Sequence, residues 1–193
     1  MPVNTLTQKG NSKLADAGML MFNIPASMQV CGRICVGCYA INEQKRFPTT
    51  LAARERRLIA STHDDFVDRI THEIKYAKQQ PKYYRVHASG EFYSQEYVDK
   101  WVTIASRFPD IIFYAYTKRK REFDMTALLK MENFVLIDSL SHGGRLNYGP
   151  LSKAPKGAFV CPEQPETDVK CGVHCQYCMT KEAQDSAPYF RKH

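Results

Sequence analysis

The sequence contains no run approaching the roughly 20 uninterrupted apolar residues that a membrane-spanning helix needs. Its first residues, MPVNTLTQKGNSK, lack the apolar stretch of a secretory signal. No internal repeat or low-complexity segment occurs along the chain. These absences predict a soluble, cytoplasmic protein without membrane contact, and the 44% hydrophobic content can fill the core of one domain.

Cysteine, by contrast, is abundant, with seven residues crowded into two short stretches. Disulfides are rare in a reducing cytosol, and an odd number of cysteines cannot pair completely within one chain. The cysteines are therefore predicted to be metal ligands.

Apolar segments alternate with helical patterns along the first 140 residues. Strands are predicted at 19–26, 83–87, 111–116 and 134–137, and helices at 49–60, at 62–79 capped by Thr62, after Ser94, and after Asp124. This β–α–β order predicts an open, partial parallel β/α barrel of four to five strands with right-handed crossovers. Residues 1–150 are predicted to form the barrel. Residues 151–193 are predicted to be a cysteine-rich extension that packs on it as part of one compact unit.

The carboxyl ends of parallel strands share one edge of a sheet, where ligands bind in such folds. The predicted strand ends carry Cys31 to Cys38, then Ala88 to Glu91, then Thr117-Lys118, and finally Asp138-Ser139. We expect these four segments to converge on one rim.

The first cysteine group, Cys31, Cys35 and Cys38, has the spacing C-x3-C-x2-C on a loop with two glycines. Three thiolates can hold three corners of a [4Fe–4S] cubane, whose usual complement is four. The fourth iron would be open to a small chelating ligand. A zinc site, with His63 or His87 as fourth ligand, is the alternative.

This loop resembles that of the radical S-adenosylmethionine superfamily in its spacing and in its place after the first strand of a partial barrel. The resemblance implies a catalytic cluster on Cys31, Cys35 and Cys38 that receives an electron from a donor such as flavodoxin or ferredoxin. It further implies reductive cleavage of adenosylmethionine and modification of a substrate, which could be a nucleotide or nucleic acid. Two positions depart from the family pattern: Gly37 replaces the aromatic residue before the third cysteine, and Ser89-Gly90-Glu91 replaces two glycines and a glutamate.

The same resemblance implies roles for residues near the strand ends. Gly90 would let the backbone approach the methionine amino group, and Glu91 would accept its hydrogen bond. The remaining predicted contacts to the cofactor are Tyr39, His87, Ser89, Lys118, Ser139 and Arg145. His87 could equally be a structural residue of its strand.

The second group, Cys161, Cys171, Cys175 and Cys178, has the spacing C-x9-C-x3-C-x2-C. Four cysteines can complete a closed site, which is predicted to be a second [4Fe–4S] cluster or a structural zinc. His174 is a further possible zinc donor. The site would also tie the C-terminal extension to the barrel.

The net charge of +7 and the run Lys118 to Arg121 support an alternative without catalysis. In it, metal centres would only stabilise the fold, and the basic run would bind nucleic acid or a host protein. Inhibition of a host defence enzyme is a third hypothesis.

The stretch RVHASGEFYSQEYVDKWVTIASRFPDIIFYAYTK at 85–118, the early KGNSK and CYA, and the final YFRKH resemble the phage family called gene product 88. That resemblance covers most of the chain and implies a phage or prophage source, hence a bacterial host cytoplasm. It brings no established activity.

Overall fold

An open five-stranded sheet forms the centre of the fold. A computed structural model describes residues 5–10, 17–33, 35, 37–140, 147–162 and 167–191. The strands are β1 (Gln8–Lys9), β2 (Met19–Phe22), β3 (Tyr83–Val86), β4 (Ile112–Thr117) and β5 (Phe134–Asp138), in the spatial order β1-β2-β3-β4-β5. All neighbours are parallel except β1, which pairs antiparallel with β2. The predicted α/β class and an open sheet of parallel strands β2 to β5 are confirmed, whereas the antiparallel edge strand β1 was not predicted and the partial barrel stays a prediction.

Seven helices accompany the sheet in the described part of the chain. They are α1 (Met28–Cys31), α2 (Tyr39–Arg46), α3 (Pro48–Thr62), α4 (Phe66–Lys75), α5 (Gln95–Ser106), α6 (Thr126–Lys130) and α7 (Lys181–Asp185). No helix among the described residues is both long and apolar enough to cross a membrane.

Helices α4 and α5 cover one face of the sheet with an aromatic core. Trp101 of α5 is fully buried and packs edge-on against Phe22 of β2 and Phe66 of α4, with ring centroids 5.6 and 5.8 Å apart. Tyr84 and Phe113 stack on neighbouring strands at 5.3 Å. Burying several such rings supplies much of the hydrophobic stabilisation that orders the strands.

The C-terminal segment covers the opposite face. Met179 and Ala183 pack there against Met19, Tyr114 and Ile137 of the sheet. Strand β6 (Tyr148–Gly149) pairs in parallel with β7 (Phe190–Arg191), which fastens the end of the segment. Both faces of the parallel strands are therefore buried, as parallel sheets require.

One predicted helix cap is confirmed and two differ. The Ser94 hydroxyl accepts from the Tyr97 N–H at 3.2 Å and caps α5. The Asp124 carboxylate accepts from the Thr126 N–H at 2.9 Å, but Met125 occupies the N-cap position of α6. Thr62 instead ends α3, because its hydroxyl donates to the Ile59 carbonyl of the preceding turn at 2.8 Å. Helix α4 consequently starts later, at Phe66.

Candidate functional site

The first cysteine loop is shaped by two short helices that the sequence patterns did not predict. The Ser27 hydroxyl accepts from the Val30 N–H at 3.2 Å and caps α1, which ends in Cys31. Gly32, with a φ of 67°, terminates that helix in the left-handed conformation that glycine adopts without strain. Cys38 directly precedes α2.

The three cysteines of this loop line one small cavity of about 80 Å³. Gly90, Glu91 and Lys118 line the same cavity from the ends of the neighbouring strands β3 and β4. Three of the four segments expected at the rim therefore meet, namely those that follow β2, β3 and β4. The convergence follows from parallel strand order, which brings successive carboxyl ends to one edge.

Glu91 is a buried carboxylate fixed by the end of β4. Its Oε2 accepts from the Thr117 hydroxyl at 2.8 Å, and its Oε1 accepts from the Lys118 N–H at 2.9 Å. Burial raises the pKa of Glu91, against the opposing effects of the Lys118 charge and these hydrogen bonds. Burial also raises the pKa of the Cys31 thiol, and the Glu91 charge adds to that rise.

The turn from His87 to Glu91 is held against the residues that follow β2. The Asn23 side-chain oxygen accepts from the N–H groups of Ala88 and Ser89 at 2.7 and 3.1 Å, and the Ser89 hydroxyl donates to the Ile24 carbonyl at 3.0 Å. Gly90 has a φ of 96°, and a Cβ there would lie 2.3 Å from Cγ1 of Ile24. Glycine is thus needed for close packing on Ile24, and the approach of its backbone to a ligand stays a prediction.

Arg119 connects the end of β4 to the cysteine loop. Its Nη1 donates to the Val30 carbonyl at 2.8 Å, its Nε and Nη2 bind Glu122 at 2.7 Å, and its guanidinium lies over the Phe123 ring. Arg119 therefore has a structural role within the run Lys118 to Arg121, which the alternative hypothesis assigns to binding nucleic acid or a host protein. Its partner Val30 is 89 positions away in sequence, so no local pattern could indicate this contact.

Of the other predicted cofactor contacts, some line the first cysteine cavity and others lie elsewhere. Tyr39 lines it, and the Tyr39 hydroxyl donates to the Ala88 carbonyl. His87 is buried on the helical side, where its Nε2 lies 2.8 Å from the Tyr97 hydroxyl and its ring packs against Phe92. This placement matches the structural role that the sequence had left open for His87. Ser139 lies in the turn after β5, and Arg145 lies outside the described residues.

The second cysteine group lines a separate cavity of about 130 Å³ on the face covered by the C-terminal segment. Cys161, Cys171, Cys175 and Cys178 all contribute to its wall, together with Arg85 of β3. Phe159 and Tyr177 stack beside it with centroids 3.8 Å apart. Burial raises the pKa of the Cys178 thiol to about 12.

The donor chemistry of both cavities fits thiolate-bound metal centres, three donors in one and four in the other. Among the described residues, no group of three or more His, Cys, Asp or Glu side chains is arranged to hold a metal ion. His174, the predicted further zinc donor, has its Nδ1 at 3.0 Å from the Asp168 carbonyl, outside the cavity wall. Metal binding by either group therefore stays a prediction.

These features define an α/β protein with an open, mostly parallel sheet. Three cysteines lie at the carboxyl edge of the sheet, and four lie on the face that the C-terminal segment covers. The chain belongs to the gene product 88 family, whose model matches residues 4–173. A curated relative is the Gene 88 protein of Mycobacterium phage D29, which is 42% identical over 41 residues. That match covers 21% of this chain and 17% of the relative. No solved structure matches the chain.

Proposed function

We propose that this protein is an iron–sulfur enzyme of the radical adenosylmethionine type. The observation that carries the proposal is the shared cavity in which Cys31, Cys35 and Cys38 meet Glu91 and Lys118 at the carboxyl ends of parallel strands. This is the edge at which ligands bind in open α/β sheets.

The three cysteines would hold a [4Fe–4S] cluster with one iron left without a protein thiolate. Each thiolate of a cubane binds a different iron, so the three sulfurs need not meet at one point. When bound, the cluster would supply the electron that splits the adenosylmethionine sulfonium into methionine and a 5′-deoxyadenosyl radical.

Glu91 and Lys118 carry charges that match those of the methionine moiety. The Glu91 carboxylate keeps lone pairs beyond its two hydrogen bonds, so it can accept from the methionine amino group. Lys118 lines the same cavity, and its ammonium can pair with the methionine carboxylate. Fixing Glu91 through Thr117 before the ligand arrives reduces the ordering cost of binding.

The four cysteines of the second group would hold a closed centre, either a second [4Fe–4S] cluster or a zinc ion. Its place between the sheet and the C-terminal segment suits a role in fastening that segment. An electron donor of the flavodoxin or ferredoxin kind and a bacterial cytoplasm complete the proposal.

Metal and sulfide analysis of anaerobically purified protein tests the proposal. Two cubanes predict about eight irons per chain, and a mixed protein predicts about four irons with one zinc. Cys38→Ser should lower the iron of the first site only, and Cys178→Ser should affect the second site only. Two zinc ions per chain without iron would contradict the proposed enzymatic function. The alternative of a metal-stabilised binding protein would then be favoured.

A further inference from the structure

A cleft of about 770 Å³ lies between the two cysteine cavities. Tyr39 and Ala88 form part of its wall and also part of the first cavity, whereas Arg85 and Cys171 are shared with the second. Its volume is within the range of clefts that hold small ligands, which is roughly 300 to 1,000 Å³. A ligand in this cleft would touch residues of both cavities.

The wall of the cleft is strongly basic. Lys9, Arg54, Arg57 and Arg85 line it, and Glu43 is the one carboxylate among the described residues of the wall. Glu43 pairs with Arg54, and in the described part of the wall Lys9, Arg57 and Arg85 have no carboxylate beside them. Such a surface favours an anionic ligand.

Arg85 holds unused hydrogen-bonding capacity. Its guanidinium lies over the rings of Tyr114 and Tyr116, 5.8 and 5.5 Å from their centroids, and its Nε is buried without a hydrogen-bond partner among the described residues. That donor has no surface accessible from the cleft, so Arg85 would contribute to anion binding through its positive charge in the wall.

Arg57 is a further cation of the cleft wall, held by a backbone contact. Its Nε donates to the Leu6 carbonyl at 2.9 Å, which fixes the guanidinium and leaves its terminal nitrogens for a ligand. Burial and the neighbouring Arg56 lower the pKa of Arg57, against the opposing effects of Tyr84 and Glu73.

Helix α3 adds one backbone donor to these cations, the Thr49 N–H, because Pro48 has no N–H and the Thr50 N–H donates to the Phe47 carbonyl at 3.0 Å. Thr49 and Thr50 of its first turn line the cleft. That turn contains no acidic residue, and its N-cap, Phe47, provides no side-chain cap. The partial positive charge of a helix N-terminus attracts phosphate groups.

We propose that this cleft binds the phosphate group of a nucleotide or of a single nucleic-acid strand, with Lys9, Arg57 and Arg85 as its cationic contacts. The further claim that this molecule is the substrate of the enzyme rests on the proposed function, whereas the claim that it binds depends only on the cleft.

Fluorescence anisotropy of a labelled single-stranded oligonucleotide, titrated with the anaerobically purified full chain, tests the proposal. Lys9→Gln and Arg57→Gln should each weaken binding about tenfold, since each removes one charged contact to phosphate. Each should also reduce the salt slope by about 0.7. Arg85→Gln should weaken binding, and Arg85→Lys should restore part of it.

Lys120→Gln is the matched control, because it removes the same charge outside the cleft lining. Equal weakening by Lys120→Gln, or unchanged binding in both Lys9→Gln and Arg57→Gln, would overturn the proposal. Because Lys9 is exposed, its substitution tests the cleft without threatening the fold.

Unlabelled competitors identify the source of the phosphate. Adenosine monophosphate that displaces the strand indicates a nucleotide site, and displacement only by unlabelled strand indicates a nucleic-acid site. Adenosine should not compete, and competition by adenosine equal to that of its monophosphate would contradict phosphate recognition. Binding by a Cys31→Ser protein separates the proposals, because loss of the first metal site should leave the cleft intact.

Discussion

Nη1 of Arg119 donates to the Val30 carbonyl at 2.8 Å and thereby fastens the first cysteine loop to the end of β4. The same guanidinium binds Glu122 at 2.7 Å. A residue outside the loop therefore anchors the helix that ends in Cys31.

Arg119→Gln should loosen this loop and lower the iron content of the first site. A hydrogen bond to a charged group contributes about 1.5–3 kcal/mol, so the free energy of unfolding should also fall by about that amount. Urea unfolding and iron analysis of the purified variant measure both effects.

Arg33→Gln is the control for that prediction. Arg33 also pairs with Glu122, but at 3.6 Å and at the surface, where ion pairs contribute about 0–1 kcal/mol. Equal losses in the two variants would show that the contact of Arg119 with Val30 has no special role.

Gly90→Ala should destabilise the protein more than Gly18→Ala does. Both glycines have positive φ, so both variants incur the left-handed penalty of about 1–2 kcal/mol. Only at Gly90 does the new methyl group also collide with Ile24, which adds about 1–3 kcal/mol of overpacking. Thermal unfolding of the two variants gives the difference, and equal losses would contradict the close packing of this turn.

His87 should make stability depend on pH. Burial, aided by the charge of Arg85, lowers its pKa from 6.5 to about 3. The unfolded chain therefore binds a proton between these values that the folded chain does not, and stability falls as pH falls through that window. Lowering the pH from 7 to 5 should reduce the free energy of unfolding by about 2 kcal/mol through the protonation of this group.

His87→Asn should remove that part of the pH dependence, because Asn does not titrate and tolerates the positive φ of 69° found at this position. Urea titrations of both proteins at pH 7 and pH 5 measure it. Parallel losses in the two proteins would show that His87 is not the titrating group.

The four parallel strands were predictable because each is a short apolar segment between helical patterns, and both faces of such strands are buried. The edge strand Gln8–Lys9 and helices α1 and α2 were missed. The edge strand has two residues without an apolar pattern, and α1 and α2 start among cysteines and polar residues.

The candidate site was predictable where it depends on strand order and not where it depends on side-chain contacts. The positions of Glu91 and Lys118 beside Cys31 follow from parallel topology. The contacts of Asn23 with Ala88 and of Thr117 with Glu91 join residues 65 and 26 positions apart, which no local pattern indicates.

Production of 5′-deoxyadenosine tests the central claim most directly. Protein reconstituted anaerobically with iron and sulfide, reduced with dithionite and given adenosylmethionine, should form 5′-deoxyadenosine and methionine, and Cys38→Ser protein should not. Fully loaded wild-type protein that leaves adenosylmethionine intact would contradict the claim that the first cysteine group is a radical-generating site.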